Sequence, residues 1–424
     1  MNRLGVCVVG LNGAVSSTMV AGTVLMRMGL APRAGMVADG PACKGLPFAP
    51  LESLVFGGWD LRKDSVFEAA VHHAVVPAST LEPAKEELSA LKPWPAVATE
   101  RFLGNLRGDE NLVKAKSFRE EIAILEQNVK DFMAKNGLTR CVILNLTSTE
   151  RACEVEDVHR TIAAFEQGLD KDDPRISPAM KYLYVACKLG LPHANFTPSL
   201  TKVPALEQLA EQSGVPICGE DGKTGQTFVK TVLAPAFAAR RLLVDGWYST
   251  NILGNNDGLI LNDPASNKTK VTSKRGVLDE ILGYKVENHQ VHIHYYKPRG
   301  DAKEAWDNID LVGFLGERMQ MKVNFLCKDS ILAAPLALDL VRLLDVAKRA
   351  GERGIQRQFS AFFKAPYHTE GELPVHDFFK QNDMLVKWAE RVGPALRAQN
   401  GHDNGKGRTA NGDATQAADP IAGE

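Results

Sequence analysis

The sequence lacks an excess of charge of either sign. Among its 424 residues, 50 lysines and arginines are balanced by 51 aspartates and glutamates, which leaves a formal net charge of -1. Proteins that bind nucleic acid or an acidic membrane surface rely largely on an excess of positive charge. We therefore expect neither nucleic acid nor membrane as a partner, and an anionic ligand would need a local cluster of lysines.

Closely spaced cysteines and long apolar runs are also missing. The seven cysteines are scattered and form no C-x-x-C pair, a pattern typical of reduced thiols and not of a disulfide framework. The first apolar run resembles the core of a secretory signal, but Gly10, Asn12 and Gly13 interrupt it. No uninterrupted apolar run approaches the length that spans a bilayer. These features predict a cytoplasmic protein.

A complete nucleotide-triphosphate loop is absent, although GEDGKTGQT (219–227) looks like one. The pattern G-x-x-x-x-G-K-[ST] needs a first glycine five residues before Gly222, because its backbone N–H groups must wrap around the β-phosphate. Ile217 stands at that position, and Gly219 comes two residues too late. The loop is too short for a triphosphate, although the N-terminus of a following helix can still bind an anion.

The sequence does contain the alternating strands and helices of an α/β protein. Leu4–Val9 is typical of a strand, Gly10–Gly13 of a tight turn and the residues from Val15 of a helix, which together open a dinucleotide-binding βαβ unit. The apolar run Cys141–Leu146 predicts another strand, and the polar residues Thr147–Glu150 follow where doubly wound sheets place ligand contacts. The predicted fold class is α/β, with a Rossmann-type doubly wound parallel sheet.

The pattern changes in the last two fifths of the chain. From Trp247 to Leu326 the apolar runs are short, strand-like and separated by Gly- and Asn-rich loops, which predicts an α+β segment inserted after the main sheet. From about residue 400 the sequence is polar and Gly-rich, which predicts a disordered tail. Helices are predicted over 108–136, around 155–168, 178–188 and 204–213, and again over 329–350 and 375–392.

The glycine turn GLNGAVS departs from the dinucleotide pattern G-x-G-x-x-G. Asn12 stands at the second glycine and Val15 at the third. An ordinary turn between a strand and a helix is therefore the alternative to a dinucleotide site. The acidic residue that would bind an adenosine ribose is either Asp39 or Asp60, both beyond the usual offset of about 20 residues.

Lysines cluster in two stretches, LGNNDGLILNDPASNKTKVTSKRGVLDEIL (253–282) and KPRGDAK (297–303). Such a cluster is commonly a solvated face. Here the irregular spacing and the flanking strands favour a loop-lined pocket for a phosphorylated small molecule. Lys364 stands alone in the apolar run FFKAPY, where it either extends its ammonium group to water or carries a lowered pKa suited to proton transfer.

Three histidines lie close together near a predicted strand. His292 and His294 alternate and face the same side, and His289 is nearby. A metal site is one interpretation. Because no carboxylate or cysteine supplies a further ligand, we expect an exposed strand face and no metal.

A set of motifs resembles those of the myo-inositol-1-phosphate synthase family, in the same order and at similar spacing. The resemblance extends from the N-terminus to about residue 370, and its most recognisable element is LGNNDG. One departure is the glycine loop, which often reads GLGGNNG in that family. The motifs are GLNGAVSST, GGWDL, LNLTSTER, GEDGKTGQT, LGNNDG, SKRGVLDEI, KPRGDAK, CKDSILAAPL and FFKAP.

The resemblance implies a tightly held NAD and the isomerisation of glucose 6-phosphate without net redox change. Oxidation at C5 acidifies C6, the enolate closes the ring on the C1 aldehyde, and C5 is reduced again. It also implies a homotetramer and an activating cation, either monovalent ammonium or a divalent ion. The implied domains are an NAD-binding part (1–242), a catalytic and oligomerisation part (243–330), a return to the first domain (331–398) and the tail (399–424).

Carried over position by position, the resemblance assigns roles to residues of this chain. Lys270 and Lys303 match lysines at the reacting oxygens, whereas Lys274 and Lys364 match lysines that hold the phosphate or a neighbouring hydroxyl. Asp257, also in the catalytic set, and Asp329 match carboxylates near the nicotinamide and a bound cation. The implied cofactor-binding residues are Gly10, Asn12, Gly13, Asp60, Thr147, Thr149, Asp221, Thr224, Asn255, Asn256, Asp257, Asp301, Asp329 and Ser330.

Three alternatives remain open from the sequence. A relative that cyclises another sugar phosphate, such as fructose 6-phosphate, would share NAD and the lysines. An NAD-dependent sugar-phosphate dehydrogenase would release NADH, but no dedicated general-base histidine is evident. A catalytically silent NAD-binding scaffold would have no physical need for lysines at the four matched positions.

Overall fold

Eleven strands are described in the computed structural model, which covers residues 3–103, 111–254 and 277–404, with side chains to 398. Seven of them form one parallel sheet in the order β11-β6-β5-β4-β1-β2-β3, and four form a second sheet in the order β10-β9-β7-β8. In chain order they are β1 (Leu4–Val9), β2 (Leu54–Asp60), β3 (Trp94–Pro95), β4 (Arg140–Asn145), β5 (His193–Asn195), β6 (Pro216–Gly219), β7 (Leu243–Leu253), β8 (Asn288–Tyr295), β9 (Ala302–Val312), β10 (Arg318–Lys328) and β11 (Gly354–Ile355).

The first sheet has the strand order of a Rossmann fold. Reading from β3 through β2, β1, β4 and β5 to β6 gives the order 3-2-1-4-5-6 of dinucleotide-binding folds. β1 is buried along its whole length, as expected for a continuous apolar strand at the centre of a parallel sheet. Val9 pairs with Trp59 on β2 and Asn145 on β4, so the carboxyl ends of three strands meet at one edge. The predicted fold class is confirmed.

Helices cover both faces of the first sheet. On one face, Val6 and Val8 of β1 pack in a core with Val20 and Leu340, and on the other face Cys7 packs in a second core. The helices are α1 (Ala14–Arg27), α2 (Val66–His73), α3 (Ala78–Leu81), α4 (Lys85–Ala90), α5 (Glu100–Leu103), α6 (Phe118–Asn136), α7 (Ile162–Asp170), α8 (Pro178–Leu189), α9 (Pro204–Gln212), α10 (Gly225–Ala239), α11 (Asp329–Arg349) and α12 (Phe378–Asn404), besides a helical segment at 277–282.

The second sheet is mixed and lies after α10. β7 pairs antiparallel with β9 and parallel with β8, while β9 also pairs antiparallel with β10. On one face, Trp247 of β7 is fully buried and packs near Phe237 of α10. On the other face, Tyr248 and Trp306 remain exposed with their rings 6.1 Å apart. This sheet is the α+β segment that the change of sequence pattern predicted.

The chain then returns to the first sheet. β11 adds to the edge of β6 through the pairs Gly354–Pro216 and Ile355–Ile217, and α11 packs against α1. α12 continues to Asn404, into the segment predicted as a tail, and residues 405–424 lie outside the described part. Over the described residues, none of the helices combines the length and the apolar character that crossing a membrane requires.

Candidate active site

A two-part cleft lies at the carboxyl edge of the first sheet. One part, of about 230 Å³, lies beside the ends of β1 and β2, and the other, of about 190 Å³, lies between the ends of β4 and β6 and the second sheet. Ligands of doubly wound sheets bind at this edge, where the strand order reverses between β1 and β4. The residues that line both parts are Gly13, His73, Leu146, Thr147 and Ser148.

The glycine turn packs closely against the backbone that follows β4. Gly10 has a φ of +85°, and a Cβ on it would lie 3.0 Å from both the Leu146 carbonyl oxygen and the Thr147 Cα. Its N–H donates to the Trp59 carbonyl at 2.8 Å, which fixes the turn against β2. Gly13 precedes α1 without a side-chain cap. The first N–H groups of α1 therefore lie open at the cleft, as a pyrophosphate requires.

Asp60 ends β2 and lines the first part of the cleft. Its carboxylate accepts the Asn12 N–H at 2.8 Å and the Arg62 N–H at 3.0 Å. Burial raises the pKa of Asp60, and these hydrogen bonds oppose the rise. The other candidate for the ribose, Asp39, pairs with Arg33 and Arg342 and does not line the cleft. Of the two, the structure favours Asp60.

β4 and β5 end in the same arrangement, which directs two threonines to the cleft. The Thr147 hydroxyl donates to Oδ1 of Asn145 at 2.9 Å, and the Thr197 hydroxyl donates to Oδ1 of Asn195 at 3.1 Å. The two asparagines are joined by a hydrogen bond of 3.1 Å from Asn145 Nδ2 to Asn195 Oδ1. Thr147, Thr197 and the predicted Thr149 all line the second part.

The loop between β6 and α10 contributes a carboxylate and a hydroxyl to the second part. Asp221 adopts a left-handed φ of 59°, and its Oδ1 accepts a hydrogen bond from Lys364 Nζ at 2.8 Å. The Thr224 hydroxyl donates to Oδ1 of Asp329 at 2.7 Å. Lys223, the lysine of the apparent triphosphate motif, instead contacts Gln381, and burial lowers the pKa of Lys223 to about 7. It does not line the cleft.

Lys303 and the first residues of α11 complete the second part. Lys303 Nζ lies 3.5 Å from Oδ1 of Asp329, the first residue of α11. An acidic residue at a helix N-terminus is stabilised by the helix dipole. Asp301 lies behind this turn and accepts hydrogen bonds from the Ser330 hydroxyl at 2.9 Å and from the Ser330 N–H at 3.2 Å. β9, α10 and α11 thus bring a lysine, a hydroxyl and a carboxylate together.

Most of the residues predicted from the motifs and located in the structure line this one cleft. Asp301 is the exception, because it touches Ser330 from outside the lining. Gly10, Asn12, Gly13, Asp60 and Thr147 line the first part, and Thr149, Asp221, Thr224, Lys303, Asp329, Ser330 and Lys364 line the second. Asn255, Asn256, Asp257, Lys270 and Lys274 lie outside the described residues.

The histidines of β8 lie on different sides of the strand. His292 and His294 stack on the outer face of the second sheet with centroids 6.2 Å apart, whereas His289 is buried and contacts Lys230 Nζ through Nε2 at 2.8 Å. In the described part of the chain, no three or more His, Cys, Asp or Glu side chains group as a metal site.

Several residues that line the cleft were not predicted from the sequence, and Asn251 and His73 are two polar examples. Asn251 of β7 lines the second part and donates from Nδ2 to Gln226 Oε1 at 2.6 Å. His73 ends α2 and contacts the carbonyl oxygen of Asn12. Asn251 lies in a strand three residues before the recognised GNNDG, and His73 lies in a segment with no motif, so only the folded backbone brings either residue to the cleft.

The comparison with family models finds one match, to an NAD-binding family described as myo-inositol-1-phosphate synthase, over residues 4–390. A curated relative, inositol-3-phosphate synthase 1 of Bacteroides thetaiotaomicron, is 44% identical over 403 residues, which cover 90% of this chain and 94% of the relative. The match therefore spans both sheets and the cleft.

Solved structures show the same fold at lower identity. Inositol-3-phosphate synthase from Caenorhabditis elegans aligns with a TM-score of 0.86 and 24% identity, covering 92% of this chain and 86% of that chain. A myo-inositol-1-phosphate synthase-related protein from Thermotoga maritima aligns with a TM-score of 0.75 and 23% identity, covering 92% and 99%.

Proposed function

Because the chain belongs to the myo-inositol-1-phosphate synthase family, as its motifs predicted, we propose that it converts D-glucose 6-phosphate into 1D-myo-inositol 3-phosphate. Family membership confirms that the protein is an enzyme and that NAD is its cofactor. The substrate, the product and each step of the chemistry are the content of the proposal. The 44% identical relative carries the name of this activity.

The cofactor fits the first part of the cleft and its junction with the second. Asp60 would hold the adenosine ribose, and the open turn at Gly10 together with the N-terminus of α1 would hold the pyrophosphate. The nicotinamide would then reach the second part, near Thr224 and Asp329. When bound, NAD supplies the acceptor for the hydride leaving C5 of the sugar and the donor that later restores it.

Lys303 is the described group best placed to act on the reacting oxygens. Its ammonium group, held near Asp329, stabilises negative charge on the C5 oxygen and moves a proton to or from that oxygen at Nζ. A ketone at C5 acidifies C6, and the resulting enolate attacks the C1 aldehyde to close the ring. A positioned cation is most effective where charge develops and water is excluded.

Lys364 would bind the substrate phosphate or a neighbouring hydroxyl. Its Nζ lies 2.8 Å from Asp221, and both side chains line the second part of the cleft. A lysine binds phosphate as a point charge with three rotatable donors. Lys270 and Lys274, outside the described residues, are proposed for the roles that the motif match gives them.

The observation that carries this proposal is the meeting of Lys303, Asp329 and Thr224 at the end of a dinucleotide cleft. Redox-neutral cyclisation needs a cation and a hydride carrier at the same carbon. The three side chains come from β9, α11 and the start of α10. Oδ1 of Asp329 joins them, because it lies 2.7 Å from the Thr224 hydroxyl and 3.5 Å from Lys303 Nζ.

The test is an NMR assay with isotopically labelled glucose 6-phosphate and catalytic NAD. Inositol phosphate formed without accumulation of NADH is the expected result. Stoichiometric NADH would identify a dehydrogenase and refute the cyclase. If labelled fructose 6-phosphate is converted and glucose 6-phosphate is not, the protein is still a cyclase, but glucose 6-phosphate is not its substrate.

We also propose that the enzyme is a cytoplasmic homotetramer. The outer face of the second sheet supports this assembly, because Tyr248, Trp306 and Leu326 of that face are more than a third exposed. Exposed apolar clusters of this kind commonly mark interfaces.

A further inference from the structure

The two parts of the cleft meet at one titratable side chain, that of His73. Of the residues that line both parts, Gly13, Leu146, Thr147 and Ser148 do not ionise in the ordinary pH range. A dinucleotide with its ribose at Asp60 and its other half in the second part must cross this junction with its pyrophosphate. His73 therefore faces the most strongly charged portion of the cofactor.

The contacts of the His73 ring leave one nitrogen for a ligand. α2 begins at a capping box formed by Ser65 and Glu68 and ends with His73, followed by Ala74 at a left-handed φ of 51°. His73 Nε2 lies 2.8 Å from the Asn12 carbonyl oxygen, and a carbonyl only accepts, so Nε2 carries a proton. Across the described residues, Nδ1 has no hydrogen-bond partner. In the neutral ring Nδ1 is an acceptor and repels an anion.

Burial and the nearby positive charges favour the neutral form of His73 while the cofactor is absent. Burial lowers the pKa of His73, the Asn12 carbonyl opposes that change, and the nearby His72 and Arg62 lower it further. Arg62 is itself paired with Asp64 at 2.5 Å, and Asp60 already accepts two backbone N–H groups. The positive end of α1 also faces the junction. An arriving pyrophosphate adds negative charge beyond that of Asp60 and Asp64, whose carboxylates already have partners.

We propose that His73 takes up a proton when NAD binds and donates a hydrogen bond from Nδ1 to the pyrophosphate. The proton comes from solvent, and the charge-assisted bond replaces a repulsive contact between two acceptors. Because the bound state holds one more proton than the free state, NAD affinity rises as the pH falls through the titration of His73. The inference concerns the cofactor alone and is independent of the sugar phosphate.

The first measurement is the affinity of the full-length chain, freed of bound nucleotide, for NAD and for adenosine. We expect NAD to bind roughly tenfold more tightly near pH 5.5 than near pH 8.5, and adenosine, which has no pyrophosphate, to bind equally at both. Calorimetry in two buffers of different ionisation enthalpy should show proton uptake with NAD only. A flat NAD profile without proton uptake would overturn the proposal.

A variant with a matched control separates this role from a structural one. His73→Gln keeps a donor for the Asn12 carbonyl but cannot take up a proton, so its NAD affinity should be independent of pH and match the wild type at high pH. His72→Gln, on the exposed neighbour, should still take up a proton with NAD, and its pH dependence should move to higher pH because His72 lowers the pKa of His73. The proposal would be rejected if His73→Gln kept the pH dependence of NAD affinity. It would also be rejected if the variant lost equal affinity for NAD and adenosine at every pH. If the variant fails to fold, the wild-type proton uptake decides.

Discussion

At the scale of single residues, Lys303 is placed by its partner as much as by its own strand. It projects from β9 to Asp329, and Asp329 is held in turn by the Thr224 hydroxyl. We expect Lys303→Met to lower kcat by at least about a hundredfold, with NAD still bound, because the cation at the reacting oxygen is lost. Steady-state assays combined with NAD titration test this.

The control is Lys297→Met, which removes an exposed lysine of the neighbouring turn. It should leave kcat and NAD affinity unchanged. Near-normal turnover by Lys303→Met would exclude Lys303 from the chemistry.

His193 on β5 makes the fold sensitive to acid. It is fully buried, neither ring nitrogen has a hydrogen-bond partner among the described residues, and burial lowers the pKa of His193 to about 3. Because the unfolded state, with a pKa of about 6.5, binds the proton more readily, stability falls as the pH drops from about 6.5 towards 3. His193 alone should make the protein about 2 kcal/mol less stable at pH 5 than at pH 7.

Urea unfolding of His193→Leu at these two pH values measures that contribution. Between pH 7 and pH 5, the variant should lose about 2 kcal/mol less free energy of unfolding than the wild type. The exposed His294→Leu should behave as the wild type, and an unchanged pH slope in His193→Leu would contradict the assignment.

Lys181 is buried against the ring of Phe118. Its Nζ lies 2.6 Å from Glu121 and 3.0 Å from the centre of the ring, and the side chain has no exposed surface. Lys181→Met should lower the free energy of unfolding by about 3 kcal/mol, because Glu121 then keeps its charge in a mostly buried place without a partner. Denaturant titration measures this. Lys188→Met, at an exposed position on the same helix, is the control, and its free energy of unfolding should be almost unchanged.

The sequence predicts residues whose role is encoded in local motifs and misses those placed by distant contacts. The run FFKAPY predicts either a lysine that extends to water or one suited to proton transfer, whereas the structure pairs Lys364 with Asp221, 143 residues earlier. His73 and Asn251 gave no local signal, because their approach to the cleft depends on the packing of α2 and β7.

At the scale of elements, the turn before α1 requires glycine at position 10, because a side chain there would collide with neighbouring backbone. Gly10→Ala would place its Cβ 3.0 Å from the backbone of Leu146 and Thr147 at a φ of +85°. We expect about a tenfold or greater loss of NAD affinity, because the turn must move away from the pyrophosphate.

Gly22→Ala in α1 is the matched substitution, since no described atom outside the backbone of its own helix lies within 4 Å of the added Cβ. It should leave NAD affinity unchanged and raise stability by up to about 1 kcal/mol, because alanine favours the helix. Equal NAD affinity in both variants would show that the turn does not contact the cofactor.

The ends of strands and helices are predicted correctly where the sequence contains a clear stop signal such as a glycine. β1 matches the predicted Leu4–Val9, and α6 ends as predicted before Gly137, which is left-handed. The predicted start of α6 at 108 is wrong. The helix begins at Phe118, because Ser117 is its N-cap and its side chain accepts the Glu120 N–H. The apolar residues before Phe118 have helical spacing in the sequence, but residues 111–117 do not form a helix.

At the scale of the whole molecule, the exposed aromatic face of the second sheet bears on assembly. Trp306→Lys should convert the proposed tetramer into smaller species, because it places a charge among Tyr248, His292 and the tryptophan's other neighbours. Light scattering after size exclusion measures this. Gln127→Lys, on exposed α6, adds the same charge elsewhere and should leave the mass unchanged. A monomeric wild type would reject the tetramer.

The overall topology was only partly predictable. The alternation of strands and helices predicts a parallel sheet, but a two-residue strand such as β11 has no periodicity to detect. Its pairing with β6 joins residues more than a hundred positions apart, with the four strands of the second sheet between them in the sequence.

That return of the chain has a consequence for biosynthesis. The cleft takes lining residues from Gly10 near the start and from Lys364 near the end, with Lys303 and Asp329 between them. A growing polypeptide on the ribosome can form the turn and β1 to β6 early, yet the second part of the cleft stays incomplete until translation has passed Lys364. Binding of the sugar phosphate therefore has to wait for the last stage of synthesis, and a product truncated before Lys364 cannot hold the complete site.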